Sequence, residues 1–327
     1  MSFQSIHKHF NKHSYYWHSQ PSLPDGLTFF NKGVLRPELT AAYQILANQS
    51  ERSEKDIANA QAVLQANGHY KDSLGKTITN DNPNMISGRA AQHYADQILL
   101  NEMTPGDAYS EALNMLHSFQ GGYWRDKEQD DAVIAHRTTL RYSVKGEVAK
   151  EPTACEFELV CSNAVDGVRE ATIGDNRIVG EVELFGRLPK CALKYKGYPD
   201  YQEGKVELKT QWDGKAYTDK PTANSLPKDI KELHLYQIAG YWYLSGIIPK
   251  IVYANRMGYR VFEPTQEQLE FGLTRIIEAC RRRERLMLAA DTTEKLLRLT
   301  DPQWSHIFGW KDMNPELLHR AKKIWSE

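Results

Sequence analysis

Apolar residues fall at three- and four-residue spacing over 38–47 and 56–66, separated by the polar run QSERSEK, which predicts two helices. The run GHYKDSLGKTITNDNPN, 68–84, crowds Gly, Asn, Asp and Pro together and predicts a loop. Helical spacing returns over 86–101 and 107–117. Beyond residue 131 the texture shifts toward strands, in AVIAHRTTLRYSV (132–144), ACEFELVCSNAV (154–165) and RIVGEVELFGRL (177–188). Residues 227–246 read as a helix with Pro227 suited to its first turn, 249–263 as a strand pair, and 265–290 as a long Arg-rich helix. Residues 1–35 look like an extended arm or irregular cap, and a polar, Trp-containing tail closes the chain. This order predicts an α/β fold: a mixed central sheet flanked by helices over 85–290, with a helical region over 1–84 and a tail over 291–327 packed on the core.

The alternation is most telling in GYPDYQEGKVELKTQW, 197–212. Glu203-Gly204 stands where a two-residue hairpin turn belongs, which pairs Gln202 with Lys205, Tyr201 with Val206 and Asp200 with Glu207. Directly opposed residues share a face with Cβ atoms roughly 5 Å apart, and Lys209, two on from Glu207, joins them. Two carboxylates and an ammonium then converge. Mg²⁺ and Mn²⁺ take hard oxygen ligands, so Asp200, Glu207 and the backbone carbonyl of Leu208 form a candidate metal set. Taken alone, the trio also fits a solvated hairpin face with cross-strand ion pairing.

Composition narrows the class. The 327 residues are 41% hydrophobic and 25% charged, which suits a soluble globular chain. No apolar run approaches the roughly 20 residues that span a bilayer, and the first 20 residues lack an apolar signal core, so the expectation is a cytoplasmic protein without membrane partners. A net charge of −1 gives no global attraction to nucleic acid. The four cysteines are scattered without a CxxC pair and read as reduced, mostly buried thiols.

Pro199-Asp200, six intervening residues and Glu207-Leu208-Lys209 resemble the signature of the PD-(D/E)xK nuclease superfamily. Gln237-Ile-Ala-Gly-Tyr241 is similar to the QxxxY motif of its RecB-type and lambda-exonuclease-like branch, and four-residue spacing puts both side chains on one helix face. That branch also carries an early G-x-x-x-H-x-x-x-E helix. Here Gly88 to Asp96 fits with Gln92 at the histidine position, His93 beside it and Asp96 at the acidic one. The wider texture looks most like exonucleases of tailed bacteriophages.

The resemblance implies Mg²⁺ or Mn²⁺ on Asp200, Glu207 and Leu208, with Asp96, Glu181 and Glu183 as candidates to complete the site. It also implies catalytic roles for Asp200, Glu207, Lys209, Gln237 and Tyr241, and hydrolysis of DNA phosphodiester bonds in phage DNA degradation or recombination. The enclosing compartment would be the host cytoplasm. An exonuclease is the leading expectation. A structure-specific or restriction-like endonuclease, or a DNA-binding module with an inactive nuclease fold, are the alternatives. The implied partner is linear duplex or single-stranded DNA; a homo-oligomer and a recombination or single-strand-binding partner remain open.

Since the chain is not basic overall, DNA contacts must be local. Arg187, Lys190, Lys194 and Lys196 precede the carboxylate segment, and Lys215 and Lys220 follow it. Arg256, Arg260 and the run Arg281, Arg282, Arg283 and Arg285 come later, that run balanced by Glu278 and Glu284. Trp212, Tyr241, Trp242 and Tyr243 can stack on frayed bases or fill a core.

Overall fold

The computed structural model describes residues 52–57, 82–118, 127–142, 154–191, 194–214 and 224–289. The helix expected over 38–47, most of that over 56–66, the arm and the closing tail lie outside them. The chain divides into two compact units: Asp81–Leu184 with Tyr198–Leu269, and Met1–Asn80 with Phe185–Gly197 and Glu270–Glu327. Strand β3 (Leu184–Arg187), in the second unit from Phe185 on, pairs with β4 (Lys194–Gly197), and helix α6 (Gln266–Ala289) contributes to that unit its residues from Glu270 on. The candidate site lies in the first unit.

The fold is mixed α/β, with a small mixed sheet between helices. Helix α1 (Pro83–Leu99) starts where Asn82 caps the Met85 amide and a proline occupies the first turn. Helix α2 (Pro105–His117) repeats the arrangement with Thr104 as its cap. Both were expected from their spacing. Helix α3 (Lys127–Thr139) takes most of the segment expected as strand over 132–144; among its described residues Arg141–Tyr142 (β1) is strand. Its acids Glu128 and Asp130 sit in the first turn and His136 and Arg137 in the last, matching the helix dipole. The Thr138 and Thr139 hydroxyls turn back onto backbone carbonyls one turn earlier, so these β-branched residues do not break the helix.

The segment 154–165 is corrected in the same direction. Only Ala154–Cys155 is a strand (β2, paired with β1), and Glu156–Ala171 is helix α4. Cys155 and Glu158 form a reciprocal capping box: Glu158 Oε2 accepts the Cys155 amide at 2.7 Å, and Cys155 Sγ accepts the Glu158 amide at 3.5 Å. Phe157, Val160, Cys161, Ala164, Val165 and Val168 are buried, a three-and-four spacing that suits a helix. Residues 177–183, expected as strand, have no regular structure up to β3.

Strands β5 (Val206–Thr210), β6 (Lys250–Asn255) and β7 (Gly258–Phe262) form the sheet in that order. β5 runs parallel to β6, with Glu207 beside Ile251 and Lys209 beside Tyr253, and β6 pairs antiparallel with β7. Parallel neighbours need a crossover, and helix α5 (Glu232–Ser245) lies in that connection. Val206, Leu208, Val252 and Ala254 pack against Ala164, Val168 and Ala171 of α4. Gly167 allows the approach: a Cβ there would lie 2.4 Å from Val252 Cγ1. The opposite face, bearing Glu207, Lys209 and Tyr253, meets α5.

The expected hairpin also changes form. Tyr201 and Val206 do bridge, but through a four-residue loop with a short 3₁₀ turn at Gln202–Gly204, and β5 finds its long partner in β6. Gln202, Glu203 and Gly204 all have positive φ (53°, 55° and 108°). Such strain persists only where the surroundings over-determine it. Here Gln202 accepts the Val179 amide and donates to the Arg177 carbonyl, and Lys205 clamps Asp175 at 2.5 and 2.8 Å.

Candidate functional site

Asp200, just before this loop, and Glu207, just after it, are both buried, at 8% and 2% exposure. Asp200 Oδ2 accepts the Leu208 amide at 2.7 Å. Lys205 O and Gln211 N bond β6, so odd-numbered residues of β5 direct their peptide groups toward that strand. Leu208 therefore presents its N–H and its C=O to the Asp200 side. The carbonyl expected as a metal ligand faces the expected carboxylate.

Lys209 pairs with Glu207 Oε1, as the shared face requires. Gln237 Nε2 donates to the same oxygen at 2.6 Å and to Tyr241 Oη at 2.8 Å, and Tyr241 donates to the Tyr198 carbonyl at 3.3 Å. The structure thus brings together all five residues assigned catalytic roles. Glu207 Oε2 and Gln237 Oε1 are buried with no hydrogen-bond partner. A buried carboxylate oxygen without a donor is costly, so a cation suits this position.

Helix α1 adds a second approach. Gln92 Nε2 donates to Asp200 Oδ1 at 3.0 Å, and Asp96, one turn on, accepts from Tyr201 Oη at 2.7 Å. Residues four apart on the helix hold residues adjacent in the chain. Sequence reasoning placed Gln92 at the motif's histidine position but missed its bond to Asp200. It also missed Tyr201. His93, by contrast, turns outward to Glu111 at 3.2 Å.

The charges agree with this geometry. Burial is the main cause raising the Asp200 carboxyl above its usual range, opposed by Lys209 and the Leu208 amide. Glu207 is also raised, by burial and then by the charge of Asp200, against Lys209 and Gln237. Burial lifts Asp96 to about 6, with the Tyr201 hydroxyl opposing and Asp200 adding. Glu181 is raised by burial and by Asp200, so its charge reaches the site, whereas Glu183 accepts from Tyr198 Oη at 3.0 Å.

Among the described residues no three His, Cys, Asp or Glu side chains group closely enough to hold a metal by themselves. Two carboxylates and a carbonyl nevertheless fit a divalent cation that keeps waters or substrate oxygens in its remaining positions. No helix among the described residues is long and apolar enough to cross a membrane. All four cysteines are free and buried.

The basic candidates fare differently. Arg256 is held by Asp213 at 2.7 Å and lies 4.2 Å over the Tyr142 ring, and Arg260 donates to the Pro227 carbonyl at 2.8 Å. Arg187, Arg281 and Arg285 are exposed. Lys215, Lys220 and the side chains of Lys194, Lys196, Arg282 and Arg283 lie outside the described residues. Trp212 stacks on Phe157 at 6.0 Å in the core instead of facing outward.

No family model, curated protein or solved structure matches this chain.

Proposed function

We propose that this chain is a metal-dependent deoxyribonuclease of the PD-(D/E)xK superfamily, acting as an exonuclease on linear DNA. The observation carrying this reading is the meeting of Asp200, Glu207, Lys209 and Gln237, with one Glu207 oxygen left without a donor. A strand–helix–strand unit supplies Glu207 and Lys209 from its first strand and Gln237 and Tyr241 from its crossover, in the order the resemblance requires.

Asp200, Glu207 and the Leu208 carbonyl would hold Mg²⁺ or Mn²⁺. When bound, such a cation neutralises charge on a scissile phosphate and makes a water more acidic. Lys209 adds a point charge beside Glu207, placed to stabilise charge that builds on the phosphate oxygens. Gln237 fixes the Glu207 carboxylate, Tyr241 fixes Gln237, and Gln92 orients Asp200 from the opposite side. Strained backbone between Asp200 and Glu207 is consistent with a loop shaped for function.

End-labelled linear DNA and closed circular DNA, each with Mg²⁺, Mn²⁺ or EDTA, test the reading. Metal-dependent loss of linear DNA alone supports an exonuclease. Nicking of circles turns the assignment to an endonuclease, and binding without cleavage under either metal would reduce the protein to a DNA-binding module.

A further inference from the structure

One face of α5 carries a residue outside the motif. His234 precedes Gln237 by three positions and Tyr241 by seven, so all three project to the same side of the helix. His234 Nδ1 lies 2.8 Å from Tyr253 Oη, and the same hydroxyl accepts the Lys231 amide at 3.1 Å. That leaves the hydroxyl's single proton for the imidazole. The rings stack, with centroids 5.5 Å apart and planes at 29°, while Phe262 meets the tyrosine edge-on at 5.8 Å. Tyr253 is thus held at its hydroxyl and on two sides of its ring.

Its neighbour is the reactive lysine. Lys209 and Tyr253 are register partners in the parallel β5–β6 pair, so their side chains leave one face of the sheet on strands roughly 4.8 Å apart. Lys209 is bounded by its ion pair with Glu207 at its tip and by Tyr253 beside its strand position.

We propose that His234 and Tyr253 form a positioning pair that keeps the Lys209 ammonium aimed at Glu207, with His234 acting through Tyr253. The chemistry of the pair requires a neutral imidazole, because a cation there would repel the lysine. Burial, helped by the charges of Lys209 and Lys231, takes His234 down to about 3, so it is uncharged throughout the neutral range. A single helix face then sets both partners of the ion pair: Gln237 holds the carboxylate and His234 secures the wall beside the ammonium.

The kinetic part of this inference rests on the nuclease reading, so its test has two arms. The first compares cleavage by His234→Ala, His234→Asn and Tyr253→Phe. The Ala and Phe variants should lose roughly 10- to 100-fold in kcat, the usual scale for a misplaced reacting group, with KM within about twofold. Asparagine can offer a polar atom near the Nδ1 position and should restore most of the rate. The second arm needs no activity: labelling with an amine-directed acylating reagent, read at each lysine by peptide mass spectrometry. Lys209 labelling should rise several-fold in His234→Ala and Tyr253→Phe, and stay near the wild-type level in His234→Asn. Unchanged Lys209 labelling in both disruptive variants overturns the proposal. Absence of cleavage by the wild type would remove the nuclease reading, while the labelling still decides whether the pair positions Lys209.

Discussion

Gln237 reaches across from α5 to place its amide nitrogen 2.6 Å from Glu207 Oε1, the oxygen that also pairs with Lys209. The crossover helix and the strand therefore grip one atom, and they leave the other carboxylate oxygen facing no donor.

Gln237→Leu should lower the cleavage rate roughly 10- to 100-fold, since a hydrogen bond to a charged group contributes about 1.5–3 kcal/mol. Tyr241→Phe keeps the ring and loses only the hydroxyl that orients Gln237, so its loss should be smaller, about tenfold or less. Steady-state kinetics with thermal melts alongside separates these losses from unfolding.

The second relationship is between the two carboxylates: the charge of Asp200 raises the cost of charging Glu207. Asp200→Asn keeps an acceptor for the Leu208 amide and removes one negative charge. In EDTA at pH 8 the variant should melt a few degrees above the wild type, on the scale of 2–4 °C per kcal/mol for a domain of this size. Added Mg²⁺ should raise the wild-type melting temperature and leave the variant unchanged. Calorimetric titration with Mg²⁺ should give binding for the wild type and none for the variant.

Away from the site, Arg137 is fully buried and donates to the Pro83 carbonyl and to Ser87 at 2.8 and 2.9 Å and also to Asn84, while its Nε lies 3.7 Å from Glu156. Glu156 in turn accepts the Asp213 amide at 2.5 Å, tying the end of β5 to the starts of α1 and α4. Burial raises Glu156 to about 7, partly opposed by Arg137. A folded value above the unfolded one makes the contribution of Glu156 complete below about pH 4.5 and lost as pH rises through 7. Arg137→Leu leaves the carboxylate unpaired and should cost roughly 3–5 kcal/mol at pH 8. The cost should be smaller at pH 5, where Glu156 is protonated. Urea unfolding at the two pH values measures the difference.

The parts of the site legible in the sequence are those set by local period. Glu207 and Lys209 share a face because strands alternate, and Gln237 and Tyr241 because helices repeat every 3.6 residues. The bridge of Tyr201 to Val206 followed from the turn position, although the strained loop did not. Long-range pairing stayed hidden. Gln92 meets Asp200 across 108 residues; the resemblance pointed to its helix, but no local pattern announces the bond itself. The parallel partnership of β5 and β6 depends on a crossover whose closure no local pattern encodes. The segment 154–165 misled because its β-branched and aromatic residues favour strands, while burial at three-and-four spacing against the sheet made it helix. His234 reads as an ordinary helix residue until Tyr253 stands beside it.

The central claim is that Asp200, Glu207 and Lys209 together hydrolyse DNA with a divalent cation. Its most direct test is one assay on wild type and Lys209→Ala, measuring cleavage and binding of the same linear duplex in Mg²⁺ and in EDTA. The account predicts cleavage by the wild type in Mg²⁺ alone, with the variant reduced at least about 100-fold and its DNA affinity within a few-fold of the wild type. Cleavage by Lys209→Ala at the wild-type rate, or by the wild type in EDTA, would contradict it.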